Sequence, residues 1–409
     1  MMNRREFIKM AGCAAAASAL AQSGSASKPN IIFILADELG IGNVSCYGAD
    51  NFKTPNIDQF AREGTRYTHC YTAPLCGPSA ALILTGRYAF RTGATSQDAT
   101  KLMKPSVETM MPTYLKTAGY VTASLGKWGQ LPIGPAEFGF DEHLSTHDLL
   151  VDFIIRHRAD PFYVYYSISN LQKPILPTPD SKPDSTDFFA DNISYMDKLV
   201  GKLVAELERL KLRDNTLIVF TADHGTGGVY AEESTIGGRR LAGEKGSMLE
   251  GGALVPMIVN WPGKTPAGKI SADLVDSTDF VPTFAELAGA KLPLDKVLDG
   301  HSFAPQVLGR HAKPRDWIFI ELGRDWYLRE AGWKLNRSGR LFDMTHSPFE
   351  EPLVPADTQD PAAIAARQRL EAALDKLNPA GGIMDEGDGT GRHAGRLVHS
   401  KKNLPPPQK

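Results

Sequence analysis

The sequence predicts an α/β protein: a large, mainly parallel central sheet covered by helices on both faces, followed by a small C-terminal α+β unit. Three observations predict it. Several strand-length segments are continuously apolar rather than alternating, the pattern of strands buried on both faces. Segments with helical spacing stand between them. After about residue 310 the texture changes to short aromatic-rich strands and one Ala-rich helix.

In chain order, "NIIFILADELG" (30–40) is an apolar strand ending in two carboxylates. "TPNIDQFAREG" (54–64) is a helix, with Pro55 in its first turn and Gly64 at its end. "TRYTHCYT" (65–72) alternates as a strand, and residues 78–84 form a helix. Residues 109–129 read as helix, glycine, strand and polar loop. "PFYVYYSIS" (161–169) is a buried strand. Residues 187–210 form an amphipathic helix whose inner stripe is Ile193, Met196, Leu199, Val200, Leu203, Val204, Leu207 and Leu210. "NTLIVFTADHG" (215–225) and "GALVPMIVNWPG" (252–263) are strands, and "DFVPTFAELAG" (279–289) is a helix. "DWIFIEL", "DWYLREAGWKLN" and "GRLFDM" suggest an antiparallel meander, and residues 360–377 a helix. The expected organisation is a leader at 1–27, a catalytic domain at 28–310, a small α+β domain at 311–378, and a loose Gly-, Pro- and charge-rich tail at 379–409.

The 409 residues are 42% hydrophobic and 22% charged, the composition of a globular chain with a substantial core. The net charge is −2, with no long basic run outside the extreme ends, so neither nucleic acid nor an acidic membrane surface is an expected partner. The first residues carry Arg4, Arg5, Phe7 and Lys9, then a short small-residue run with Ala19-Leu20-Ala21. This is the pattern of a twin-arginine secretion signal; an amphipathic N-terminal helix is the alternative, and Cys13 weakly suggests a lipoprotein site. The run is too short for a stable membrane span, so the expectation is export to a periplasmic or extracellular location. Removing the leader takes Cys13 away and leaves Cys46, Cys70 and Cys76; a Cys46–Cys70 disulfide and free buried thiols are both open.

In open α/β sheets, sites form beyond the carboxyl ends of strands. Two predicted strands end there in polar pairs, Asp37-Glu38 and Asp223-His224. Adjacent carboxylates repel, so a hard divalent cation is the simplest partner. A solvated turn or helix cap is the plain alternative for each pair taken singly. Both pairs on one sheet edge, with the thiol of Cys76 at a helix start, point to a site.

These residues carry a resemblance. "PNIIFILADELGIGNVSCYG", "LCGPSAALILTGR", "GYVTASLGKWG", "TLIVFTADHG", "GEKGSMLEGGALVP", "LDGHSFAPQVLG" and "LFDMTHSPFE" are similar, in order and over most of the chain after residue 28, to the motifs of the formylglycine-dependent sulfatases. That family lies in the alkaline phosphatase superfamily, so the resemblance implies an alkaline-phosphatase-like sandwich. It further implies a sulfuric ester hydrolase acting on a sulfated small molecule or glycan, a carbohydrate by fold-level analogy. Cys76 matches the cysteine that a formylglycine-generating maturation enzyme oxidises to an aldehyde, whose hydrated gem-diol attacks sulfur. Asp37, Glu38, Asp223 and His224 match the ligands of a calcium ion, magnesium being the lesser alternative, and the group at Cys76 completes that shell. Lys127 and Lys245 match the sulfate-binding lysines, and Lys245 is placed to stabilise the departing oxygen.

The sequence departs from the family pattern at four places. The signature arginine, which helps order the formylglycine, is Ala80; the histidine after Gly-Lys-Trp is Gly129; the histidine of a His-x-Pro segment is Gln172; and an arginine before Val-Pro is Leu254. A charge ~4 Å away is worth ~4 kcal/mol at an effective dielectric of ~20, up to ~10³-fold in rate. Arg66 and Arg91 are candidates to replace the lost guanidinium. Gln172, with His143 and His147 in the "DEHLSTHD" loop, are candidate substrate contacts, whereas His69, His301 and His346 are expected to be structural. Two other functions stay open: a non-catalytic, degenerate binding protein, and a phosphodiester or phosphonate hydrolase of the same superfamily.

Overall fold

In the computed structural model, the described residues are 28–128, 131–294 and 296–379. The leader with Arg4 and Arg5, Gly129 and the 380–409 tail lie outside them. An eight-stranded sheet forms the centre. Its strands are β1 (Asn30–Ala36), β2 (Thr65–Tyr71), β3 (Val121–Gly126), β4 (Glu142–Leu144), β5 (Phe162–Ile168), β6 (Thr216–Ala222), β7 (Leu254–Asn260) and β8 (Lys269–Asp276). The spatial order is β8-β2-β7-β6-β1-β5-β3-β4. All neighbours run parallel except β7, which is antiparallel to both β2 and β6. β1, β5, β6 and β7 are buried at every position, which is why their sequences are unbroken apolar runs.

Helices cover both faces. The main ones are α1 (Pro55–Arg62), α2 (Cys76–Thr85), α3 (Met111–Lys116), α4 (His147–Arg156), α5 (Phe188–Arg209) and α6 (Phe280–Ala288). On one face α1 packs on α5, pinned where buried Asp197 accepts from the Ile57 amide at 2.8 Å. On the other, α6 sets Phe280 edge-on to Phe33 of β1, ring centroids 4.8 Å apart. All ten residues of α2 are buried. That helix begins at Cys76, two residues before the expected start, and ends at Gly86, whose φ of +70° suits a glycine cap.

The chain after β6 does not cross back beneath the sheet. It stays at the carboxyl edge through residues 223–253 and re-enters as β7, which therefore runs antiparallel. Gly225 N donates to Gly252 O at 3.0 Å, closing this excursion, and Lys245 lies within it. Toward the C-terminus, β9 (Ile318–Leu322), β10 (Asp325–Arg329), β11 (Trp333–Asn336) and β12 (Leu341–Asp343) form an antiparallel meander in that order, with α7 (Pro361–Leu377). Its core is shared: Phe319, Leu328 and Leu370 pack with Leu82 of α2 and with Tyr88 and Phe90. Among the described residues, no helix is long and apolar enough to cross a membrane.

Candidate active site

Three strand ends build the site. Register pairs Ala36 of β1 with Ala222 of β6 and with Ile168 of β5. Each ladder continues one residue further: Asp223 N donates to Ala36 O at 3.0 Å, Asp37 N to Ile168 O at 2.9 Å, and Lys127 N to Ser167 O at 3.2 Å. The backbone therefore fixes Asp223 beside Asp37, with Lys127 on the same sheet edge beyond the intervening end of β5. Glu38 follows at φ +58°, a left-handed conformation that costs a non-glycine residue about 1–2 kcal/mol. Such strain is characteristic of functional positions. The Glu38 amide donates to Asp223 Oδ1 at 3.1 Å.

The side chains converge. Lys127 Nζ donates to Asp37 Oδ2 at 2.7 Å. His224 Nε2 lies 3.4 Å from Asp223 Oδ1 and 3.7 Å from Asp37 Oδ1. Ligand atoms of Cys76, Asp223 and His224 all lie within 4.8 Å of one another. Lys245 grips Glu38 Oε1, its stem passing Gly227, where a Cβ would meet the Lys245 Cδ at 2.9 Å. Asp37, Glu38, Asp223 and His224 are each at most 5% exposed.

Burying this much charge perturbs it. Burial, then the neighbouring Asp37 charge, holds Asp223 well above the ordinary carboxylate range. Asp37 is itself buried, yet it is held low, chiefly by the charge and hydrogen bond of Lys127. Lys127 is raised because Asp37 and Asp223 outweigh its desolvation. Burial alone would raise the Cys76 thiol, but the adjacent His224 imidazole and the Lys127 charge outweigh it and bring it down. Cys46 and Cys70 behave oppositely, pushed up chiefly by burial, to about 12 for Cys46. All three thiols are free, which decides against the Cys46–Cys70 disulfide.

The site fits a divalent cation. Asp37 Oδ1 and His224 Nε2 are buried without a hydrogen-bond partner, a costly state unless something else engages them. His224 Nδ1 contacts Gly225 O at 2.9 Å, which fixes the proton there and leaves the Nε2 lone pair facing the cluster. A cation between Asp37 and Asp223 would also relieve their repulsion.

Other sequence candidates fall elsewhere. "DEHLSTHD" is not a loop but β4 and the start of α4. His143 is exposed and bound to Ser124 Oγ at 2.9 Å, and His147 stands against Tyr166, so neither supplies a contact to the cluster. Gln172 is half-buried in the turn after β5, its backbone N–H donating to Ser169 O. Neither arginine proposed to stand in for position 80 does so: Arg66 lies over the Tyr47 ring, and Arg91 pairs with Asp299 at 2.9 Å. Leu254 is an apolar core residue. Sequence reading also missed Gln97, whose amide touches Cys76; twenty-one residues away, in a segment that reads as a helix cap, it carried no signal.

Known proteins resemble this chain in sequence and fold. The sulfatase family model matches residues 29–176 and 145–290. The chain is 31% identical to N-acetylgalactosamine-6-sulfatase of Canis lupus familiaris, covering 72% of this chain and 68% of that one. It is 28% identical to human arylsulfatase D, covering 80% and 76%. Among solved structures it resembles Ps i-CgsB, determined in complex with k-i-k-neocarrahexaose, with a TM-score of 0.73, 26% identity and coverage of 92% and 98%. A phosphonate monoester hydrolase from Silicibacter pomeroyi shares the fold alone, at 17% identity and a TM-score of 0.64 over 88% and 97%. The strand-end carboxylates, the buried helix that starts at Cys76 and the two lysines thus sit where a matching family model spans them, and the chain belongs to the sulfatase family, enzymes that hydrolyse sulfate esters.

Proposed function

We propose that the protein is an exported sulfatase that removes sulfate from a carbohydrate, with a formylglycine formed from Cys76 as nucleophile and a calcium ion held by Asp37, Asp223 and His224. The carrying observation is the position of Cys76: first residue of a fully buried helix, with its sulfur within 4.8 Å of ligand atoms of Asp223 and His224. When present, the hydrated aldehyde supplies the oxygen nucleophile and the cation supplies charge opposite the sulfate. Carboxylate oxygens favour calcium or magnesium. Glu38, engaged here by Lys245, is the fourth donor in this reading.

This chain's own groups supply the rest. The N-terminal end of α2 carries the partial positive charge of the helix dipole, which favours an anion. Lys127 fixes the orientation of Asp37. Lys245, half-exposed at the rim, is the cation positioned to receive a sulfate oxygen and to stabilise the leaving oxygen. The carbohydrate assignment is supported by the similarity to an N-acetylgalactosamine-6-sulfatase and to a structure holding a neocarrahexaose. The Arg4-Arg5 leader supports export.

Parallel assays test this. A panel of sulfated sugars and an aryl sulfate are compared with a phosphodiester and a phosphonate ester, using the wild type and Cys76→Ala. The expected result is faster turnover of a sulfate ester, lost in Cys76→Ala. Faster phosphodiester turnover, or activity that survives the substitution, would sink the proposal.

A further inference from the structure

Position 80 lies one helical turn after Cys76. It is an alanine, 3% exposed within the apolar core, so no cation reaches Cys76 from α2. Besides the strand-end residues Asp223 and His224, a side chain from the short helix Gln97–Thr100 reaches it. Gln97 Nε2 lies 3.2 Å from Cys76 Sγ, and Gln97 Oε1 accepts from the Gly77 amide at 3.0 Å. With the oxygen engaged by a backbone N–H, the amide orientation is set and Nε2 is the donor toward Cys76.

A second observation concerns Gly77. A Cβ at this residue would stand 2.9 Å from Gln97 Oε1 and 3.0 Å from Thr100 Oγ1, so the glycine is what lets the amide dock. The turn carrying Gln97 is braced as well. Ser96 Oγ accepts from the Ala99 amide at 3.1 Å, and Thr100 Oγ1 donates to Ser96 O at 2.8 Å.

We infer that Gln97 is the positioning residue for the side chain at Cys76, performing with a neutral amide the ordering that Ala80 cannot provide. The inference rests on the proposed role of Cys76 as nucleophile precursor. An amide orients without adding charge, so attraction for the sulfate is left to the lysines, the cation and the helix N-terminus.

The test uses the full chain co-expressed with a formylglycine-generating enzyme, with the aldehyde content of each preparation measured by mass spectrometry. Gln97→Ala should lower kcat per aldehyde-bearing molecule about tenfold, the worth of one well-placed hydrogen bond to a charged group, with KM on an aryl sulfate changed less than about twofold. The isosteric Gln97→Glu preserves packing but replaces the donor with an acceptor, and should lose at least as much. Gly77→Ala should act in the same direction, and its combination with Gln97→Ala should cost less than the product of the two. Crystal structures give a readout independent of activity: residue 76 in one rotamer in the wild type and in several in Gln97→Ala. Unchanged kcat per aldehyde, or one unchanged rotamer in the variant, overturns the inference. A wild type that releases no sulfate overturns the catalytic reading instead, and the rotamer comparison then decides the positioning by itself.

Discussion

The loop that carries Lys245 is tied to the C-terminal meander by a fully buried ion pair, and replacing Arg329 by methionine tests how. Arg329 Nε and Nη2 meet Glu250 Oε1 and Oε2 at 3.0 and 3.3 Å, and both residues are 0% exposed. Ser347 and Tyr71 hydroxyls donate to the same carboxylate at 2.6 and 2.8 Å. Methionine fills much of the space but leaves an uncompensated buried carboxylate, a loss of about 3–5 kcal/mol. The sign with pH follows. In the wild type, burial raises the Glu250 proton affinity but the Arg329 charge outweighs it, so Glu250 lies below its ordinary value of 4.5. That stabilisation is present above this value and lost as pH falls. Without Arg329, burial is opposed only by the Ser347 and Tyr71 hydrogen bonds and the more distant Lys334 charge, so Glu250 should rise above the unfolded value and stability should instead be lost as pH rises. The penalty of Arg329→Met, from urea unfolding of both proteins, should therefore be largest near about pH 8 and shrink toward about pH 5. Adding Glu250→Gln should recover part of the loss at the higher pH. A penalty equal at both pH values would refute this reasoning.

Three further outcomes are expected. Chelation should abolish sulfate release and lower the melting temperature, both restored by calcium; a ligand at 100 Kd adds about 2.7 kcal/mol. His143→Ala and His147→Ala should each leave kcat/KM within about twofold, because neither touches the cluster; a larger loss in steady-state assays would return them to the site. Gly227→Val should displace the Lys245 stem and lower kcat/KM at least about tenfold, with stability nearly unchanged; full activity would show that Lys245 does not need its present path.

What was legible in the sequence follows from what burial imposes on it. β1, β5 and β6 are buried throughout, so their apolar runs stand out and their polar ends mark the sheet edge; Asp37 and Asp223 were found this way. The direction of β7 was not legible, because "LVPMIVN" is equally apolar whichever way it runs. Only the contacts of residues 223–253 along the carboxyl edge set it. His143 and His147 were misplaced for a related reason: three residues of edge strand and a helix cap at Thr146 have the composition of a loop. Gln97 and the Lys245–Glu38 pair were invisible because they are contacts over 21 and 207 residues, set by tertiary packing rather than by any local pattern.

The central claim is that Cys76 is the precursor of the nucleophile. Trypsin releases residues 67–87 as one peptide, and its mass reports thiol or aldehyde at position 76. Protein purified after co-expression with a formylglycine-generating enzyme should carry the aldehyde, in proportion to its rate of sulfate ester hydrolysis across preparations of varying conversion. Full hydrolytic activity from protein that carries only the thiol would contradict the account.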